Sequence, residues 1–220
     1  MFAELSQADR DWQDQNRASR RRLANLREET WGWVVYRTTY KSDAMFQRAI
    51  DIISSWIKWA VYRDLYNTPG VPNPDPTSNN QLWARHSLTI IEDSTVLDGV
   101  SLDVVRSHFE SWVEQRNKRD RWNKYRVCMA IDEEILELLV HNVLLADPQS
   151  KMSGENKAKD MKEWHVKVVE AFPDYEEGAE GYEGWMNCSV YALVYLWDMM
   201  DDATYMGHWY CRLEDGVFCG

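Results

Sequence analysis

The stretch Arg116 to Glu134, RNKRDRWNKYRVCMAIDEE, constrains the fold more than any other part of the chain. Arg116, Lys118, Arg119, Arg121, Lys124 and Arg126 outweigh a single Asp120, and Trp122 and Tyr125 are interleaved among them. Val127, Met129 and Ile131 then alternate with Cys128, Ala130 and Asp132, the period of two that sends successive side chains to opposite faces of a strand. Asp132, Glu133 and Glu134 close the stretch with three adjacent carboxylates. A strand of about seven residues spans roughly 23 Å. Its middle therefore belongs in a core, and its two charged ends serve different neighbourhoods.

Around this strand the pattern predicts an α+β fold. Trp31 to Tyr40 (WGWVVYRTTY) is aromatic and β-branched and reads as a strand, with Val34, Tyr36, Thr38 and Tyr40 on one face and Trp33, Val35, Arg37 and Thr39 on the other. Arg37 in mid-strand is costly to bury alone, so it must face a carboxylate or line a cavity. Ser42 caps a helix to about Tyr66, and Ser101 caps another from Leu102 to Gln115. Further strands are expected at 86–92 and 164–172, and an apolar helix at 187–201. Residues 135–140 fit a helix or a strand equally well. The expected whole is a single α+β domain, its antiparallel or mixed four- to five-stranded sheet covered by helices on one side, with a ferredoxin-like βαββαβ plan as a possible relative. Residues 1–29 form a polar helix or arm, and 30–220 the domain, with a mobile loop at 68–80, a polar connector at 147–162, an acidic loop at 173–184 and an unpatterned tail from 204.

The formal charge of −11 argues against a generic electrostatic hold on nucleic acid or anionic membrane, and leaves room for a local basic patch. Cys128, Cys188, Cys211 and Cys219 make no CxxC pair and no finger spacing with histidine, so no metal site and no cofactor is expected. Cys128 reads as a small core residue. There is no apolar leader, and the longest apolar run is too short to span a bilayer, which predicts a cytoplasmic protein with no membrane partner. The twelve Trp and eleven Tyr suit core packing or a pocket for a planar or cationic ligand. His86 and His165 fall in predicted strands and are candidates to meet in the sheet.

Two charge clusters are candidate sites. Repulsion within Asp132-Glu133-Glu134 can raise a carboxylate pKa toward a general base, or the cluster can grip a guanidinium; an exposed acidic helix start explains it as well. The basic run 116–126, with Trp122 and Tyr125, and the cluster Arg20, Arg21 and Arg22 suit RNA phosphates and unpaired bases; a solvated helix face explains them as well.

Trp31 to Asp43, Cys128 to Glu134 and Gly184-Trp185-Met186 resemble a family of filamentous-fungal proteins, over about residues 30 to 200. Within it the chain is similar to the group that includes arginine-containing cyclodipeptide synthases. The resemblance implies an aminoacyl-tRNA-dependent enzyme of secondary metabolism that joins arginine to a second amino acid as a diketopiperazine. It implies a base among Asp132, Glu133 and Glu134, oxyanion donors among Arg37, Tyr36 and Tyr40, and an arginine site formed by the same carboxylates or by Glu183 with Trp185, with Trp33 also among the substrate-binding residues. Arginyl-tRNA and a second aminoacyl-tRNA would lie on Arg116, Lys118, Arg119, Arg121, Trp122, Lys124 and Arg126 and on Arg20 to Arg22. The tail from His208 lacks the Tyr-Arg-Arg-Pro ending associated with relatives. The rival readings are a non-catalytic ligand-binding or protein-interaction module, and a small-molecule cyclase or isomerase.

Overall fold

Two helical crossovers build the first half of the sheet. β1 (Val34–Arg37) leads through α3 (Asp43–Asn67) and α4 (Thr77–Ala84) to β2 (Thr89–Ile91). β2 leads through α5 (Ser94–Leu97) and α6 (Leu102–Glu114) to β3 (Val127–Ile131). Connections of this length permit parallel pairing, and β1 runs parallel to both β2 and β3. Then follow α7 (Glu133–His141), β4 (His165–Glu170), β5 (Trp185–Ser189), α8 (Leu193–Met199) and β6 (Val217–Phe218). β4 is antiparallel to β3 and to β5, and β6 is parallel to β5, giving one sheet in the order β2-β1-β3-β4-β5-β6. Two helices, α1 (Gln7–Gln15) and α2 (Ala18–Asn25), precede it. The structure, a computed structural model, describes residues 6–67, 73–119, 123–141, 162–176, 178–200, 204–210 and 216–220.

The domain is mixed α/β as expected, and the sheet has six strands rather than four or five. Its parallel centre rules out the ferredoxin-like plan, in which neighbouring strands run antiparallel. Helices cover both faces, not one. Trp33, Val35, Val127, Met129 and Ile131 enter a core with α3, α4, α7 and α8. Val34, Tyr36, Cys128 and Ala130 enter a second core with α5 and α6. The predicted division of the β1 residues between faces matches these two clusters.

Other expectations shift at the element ends. Ser42 caps α3, its hydroxyl accepting from the Met45 amide at 3.2 Å, and residues 135–140 are helical. Ser101 precedes α6 in extended conformation, but its hydroxyl makes no cap bond. The loop expected to reach residue 80 ends at Pro76, where α4 begins; residues 68–72 lie outside the described ones, as do 147–161 of the connector. The helix expected from residue 187 begins at Leu193, because 185–189 pair with β4 as a strand. The tail contributes β6 and a 3-10 turn at Met206–His208. His86 and His165 do not meet. His86 bridges beside Trp31 at the amino end of β1, whereas His165 begins β4 at the other end of the sheet, two strands away.

The N-terminal segment is docked. The Asp64 carboxylate accepts the Ser19 amide at 2.9 Å, Ser19 and Ser78 hydroxyls share a hydrogen bond at 3.0 Å, and Arg17 is buried against Asp14. Gly32 and Gly184 hold positive φ where side chains do not fit. A Cβ on Gly32 would sit 2.6 Å from the Ser87 carbonyl oxygen, and one on Gly184 would sit 2.8 Å from the Arg106 guanidinium. Among the described residues no helix is long and apolar enough to cross a membrane.

Candidate functional site

Because β1 and β3 are parallel neighbours, the residues that follow each strand share one edge of the sheet. This carboxyl edge gathers Arg37, Thr39 and Tyr40 with Asp132, Glu133 and Glu134. Arg37 is buried; its guanidinium donates to Asp43 at 2.5 Å, to Glu92 at 3.3 Å and to the Thr39 carbonyl at 2.9 Å. It also lies 4.6 Å and 4.7 Å from the ring centroids of Tyr40 and Phe46. Burial alone would lower its pKa; the two carboxylates outweigh burial and raise it. The Tyr40 hydroxyl donates to the Arg37 carbonyl at 3.0 Å and accepts from the Asp93 amide at 2.7 Å.

The three carboxylates are equally engaged. Asp132 caps α7, one oxygen accepting from the Ile135 amide at 3.0 Å, and its other oxygen takes Lys167 Nζ at 2.6 Å. The same ammonium donates to Glu134 at 2.6 Å. Glu133 accepts from the Thr39 hydroxyl and lies 3.4 Å from Lys41. The expected upward shift is absent from Glu133. The Thr39 hydroxyl, and then Lys41, stabilise its charged form and lower the pKa. Burial opposes the Lys167 ammonium, but its two carboxylate partners raise its pKa. This edge is a set of closed ion pairs.

The remaining predicted site residues lie elsewhere. Tyr36 points into the α5/α6 side, sharing a 2.9 Å hydrogen bond with His108 Nδ1, and burial raises its phenol pKa. Trp33 is a core residue of the opposite face with no solvent exposure. Glu183 and Trp185 line an open cavity of about 550 Å³ with Arg106 and Tyr182. Trp185 pairs with Val169 and Glu170 lies opposite Val127, so these residues stand at the amino end of β3. About 16 Å of strand separates them from Asp132.

The amino end of β1 and β3 holds a different construction, an aromatic-walled cavity of about 460 Å³. α2 and the segment after it supply Arg21, Arg22, Arg27 and Glu28; α3 supplies Arg63, the turn before β3 supplies Lys124, and α8 supplies Trp197 and Asp198. The two basic stretches, far apart in sequence, thus converge. Trp31 and Trp197 meet edge to face with centroids 5.4 Å apart. Arg63 is fixed between Trp59 and Tyr191, and donates to the Tyr191 hydroxyl at 2.8 Å.

Cations of the two stretches divide into engaged and available groups. Arg20 pairs with Asp14 at 2.7 Å, Arg22 with Asp198 at 2.6 Å, Lys118 with Glu28 at 3.0 Å and Arg119 with Glu114 at 3.2 Å. Arg116 lies over Trp112, 4.0 Å from the ring centroid, and buried Arg126 lies 5.3 Å from that of Tyr205. Arg21 and Arg27 are exposed and carry no ion pair among the described residues. Lys124 is half-buried, and desolvation lowers its pKa despite Glu28 nearby. Arg121 and Trp122 lie outside the described residues. Glu28 also accepts from the Tyr125 hydroxyl at 3.0 Å; burial, then this carboxylate, pushes that phenol up to about 12.

Sequence reasoning missed Arg27, Glu28, Arg63, Trp197 and Asp198 as cavity residues. The one local signal was Trp59 and Arg63, four apart on α3 and therefore stacked on one helix face. No known protein family, curated protein or solved structure matches this chain.

Proposed function

We propose that this protein is an aminoacyl-tRNA-dependent cyclodipeptide synthase of secondary metabolism that joins arginine to a second amino acid as a diketopiperazine. The observation that carries the reading is the convergence of Arg21, Arg22 and Lys124, from two separate basic stretches, on one aromatic-walled cavity that also holds Glu28 and Asp198. Cations suit an RNA backbone, aromatic rings suit unpaired bases, and carboxylates suit a guanidinium or an attacking α-amine. The amine has an ordinary pKa near 8, so its base needs position more than strength. Glu28 and Asp198 are the carboxylates at this cavity, and in this reading they serve as base and guanidinium acceptor in place of Asp132, Glu133 and Glu134. The carboxyl-edge residues then hold α7 and β4 in place.

The test is the purified protein with charged total tRNA, followed by mass spectrometry for arginine-containing cyclic dipeptides. The product should appear, vanish on ribonuclease treatment, and fall steeply in Glu28→Gln and Asp198→Asn. It should persist, per folded molecule, in the triple amide variant of Asp132, Glu133 and Glu134. No cyclic dipeptide with any charged tRNA would refute the enzyme reading. The rival binding-module reading draws on the full engagement of the carboxyl-edge groups, and predicts ligand retention without product.

A further inference from the structure

We infer that the cavity between α2, α8 and the amino ends of β1 and β3 binds a nucleoside monophosphate group, presented by the 3′ end of an RNA or by a free mononucleotide. The inference rests on the aminoacyl-tRNA reading only for the choice of the RNA end as occupant.

Charge is the first argument. Arg21, Arg22, Arg27, Arg63 and Lys124 line the cavity together with Glu28 and Asp198, in a chain whose formal charge is −11. A cationic wall in an acidic protein needs a reason, and ion pairing within the fold supplies only part of one. Arg22 and Arg63 are held by Asp198 and Tyr191, whereas the exposed Arg21 and Arg27 carry no ion pair among the described residues. Guanidinium groups offer paired N–H donors in the geometry of phosphate oxygens. Lys124 keeps a partly desolvated ammonium at the same wall, a position that an incoming anion would relieve.

Shape is the second. The volume of about 460 Å³ falls within the range of small-molecule sites. Partly exposed Trp197 and the 43% exposed Tyr195 present ring surfaces on which a base can stack, with buried Trp31 packed behind Trp197. The Trp197 indole N–H is buried with no partner among the described residues. Glu28 supplies acceptors for ribose hydroxyls or an exocyclic amine. Two adjoining cavities, of about 390 and 220 Å³, share Arg22 and Arg63 with the first and extend it past Tyr191 to Gly220. A group attached to the nucleotide therefore has somewhere to go.

The experiment is calorimetric titration of the full chain with AMP, adenosine and inorganic phosphate, at low and moderate salt. AMP should bind saturably and more tightly than either fragment, and more weakly as salt rises. The double variant Arg21→Ala/Arg27→Ala should lose about tenfold or more in AMP affinity, the scale of a lost charge-assisted contact. Arg48→Ala, an exposed charge on α3 outside the cavity lining, should leave it unchanged. Absence of saturable AMP binding overturns the inference, as does an equal loss in Arg48→Ala and the double variant. An RNA oligonucleotide ending in CCA that competes with AMP identifies the RNA end as occupant. AMP binding without such competition keeps the site for a free mononucleotide and defeats the aminoacyl-tRNA reading. Oligonucleotide binding without AMP binding defeats the site and leaves that reading standing.

Discussion

Asp132 offers the sharpest separation between a catalytic carboxylate and a structural one. Its side chain does two jobs, capping α7 through the Ile135 amide at 3.0 Å and holding Lys167 at 2.6 Å. Losing an N-cap costs about 1 kcal/mol, and asparagine replaces aspartate there at little cost. The Lys167 side chain is 14% exposed and that of Asp132 30%. Their pairing thus lies between an exposed ion pair, worth at most about 1 kcal/mol, and a buried one, whose breaking costs about 3–5. With Glu134 still bonded to the ammonium, a loss of about 1 kcal/mol is the fair figure. Asp132→Ala should therefore destabilise by about 2 kcal/mol, and Asp132→Asn by about 1.

Urea unfolding reads the difference directly. With a slope near 3 kcal/mol per molar, at the upper end for small domains, the midpoint should fall by about 0.7 M for alanine and about 0.3 M for asparagine. Lys167→Met should add less on top of Asp132→Ala than it does alone, because the two residues share one interaction. Nucleotide affinity and turnover per folded molecule should stay at wild-type levels. Equal midpoint shifts for alanine and asparagine would refute the capping role. Unchanged stability with loss of turnover would return the carboxylate to the chemistry.

The glycines and the buried polar groups give further expectations. Gly32→Ala meets the Ser87 carbonyl at 2.6 Å at φ +130, whereas Gly99→Ala meets nothing within 4 Å at φ +66. The first should cost about 3 kcal/mol or more and the second about 1–2, measured by chemical denaturation. Burial lowers the pKa of His86 from 6.5 to about 4. Between those values the unfolded chain binds a proton that the folded chain refuses, so stability is full above pH 6.5 and falls by up to about 1.4 kcal/mol per unit on acidification. His86→Phe, which retains a ring to stack on Trp83, should flatten that slope relative to wild type in paired urea titrations. Tyr182→Phe removes a 2.6 Å donor to the buried Glu170 carboxylate and should cost about 1.5–3 kcal/mol by thermal or urea unfolding; no loss would mean that Glu170 is satisfied elsewhere.

How much of this was legible in the sequence depended on how local the cause was. β1 could be read because Trp31 to Tyr40 is aromatic and β-branched, β3 because a short apolar run lies between two charged ends, and α3 and α6 because their apolar residues recur at helical spacing. Coverage on both faces was also written there. Val34, Val35 and Tyr36 form a continuous apolar run, the mark of a strand buried on two sides, and a one-sided sheet leaves one of those sets exposed. β5 was hidden because Trp185–Ser189 runs into an apolar helix with only a three-residue turn between, and strand pairing with β4 decides the matter. β6 has two residues and no periodicity to detect. The strings Trp31-Gly32-Trp33 and Gly184-Trp185-Met186 turn out to mark tight backbone sites, with Trp31 alone of the six lining the cavity beside α2. That cavity draws on α2 and the segment after it, α3, the turn before β3, and α8. No window of sequence contains it.

The polarity of β3 explains how an acidic protein can hold a basic site. Its acidic end is matched by cations of the fold, Lys167 between Asp132 and Glu134 and Lys41 near Glu133. About 16 Å of strand then separates Asp132 from the amino end, and Lys167 neutralises the acidic end locally. The field inside the cavity is accordingly set by what lines it, and the total of −11 has little say there. This yields a pair of opposed effects. Removing the charge of Asp198 frees Arg22, its partner at 2.6 Å, and strips an anion from the cavity wall, so Asp198→Asn should raise AMP affinity several-fold. The same substitution should lower cyclic dipeptide formation, if Asp198 serves the amine or guanidinium of the arginyl group. Glu134→Gln, at the far end of the strand and largely exposed, should move neither. A fall in AMP affinity in Asp198→Asn would mean that the Asp198–Arg22 pair shapes the cavity rather than competing with its ligand.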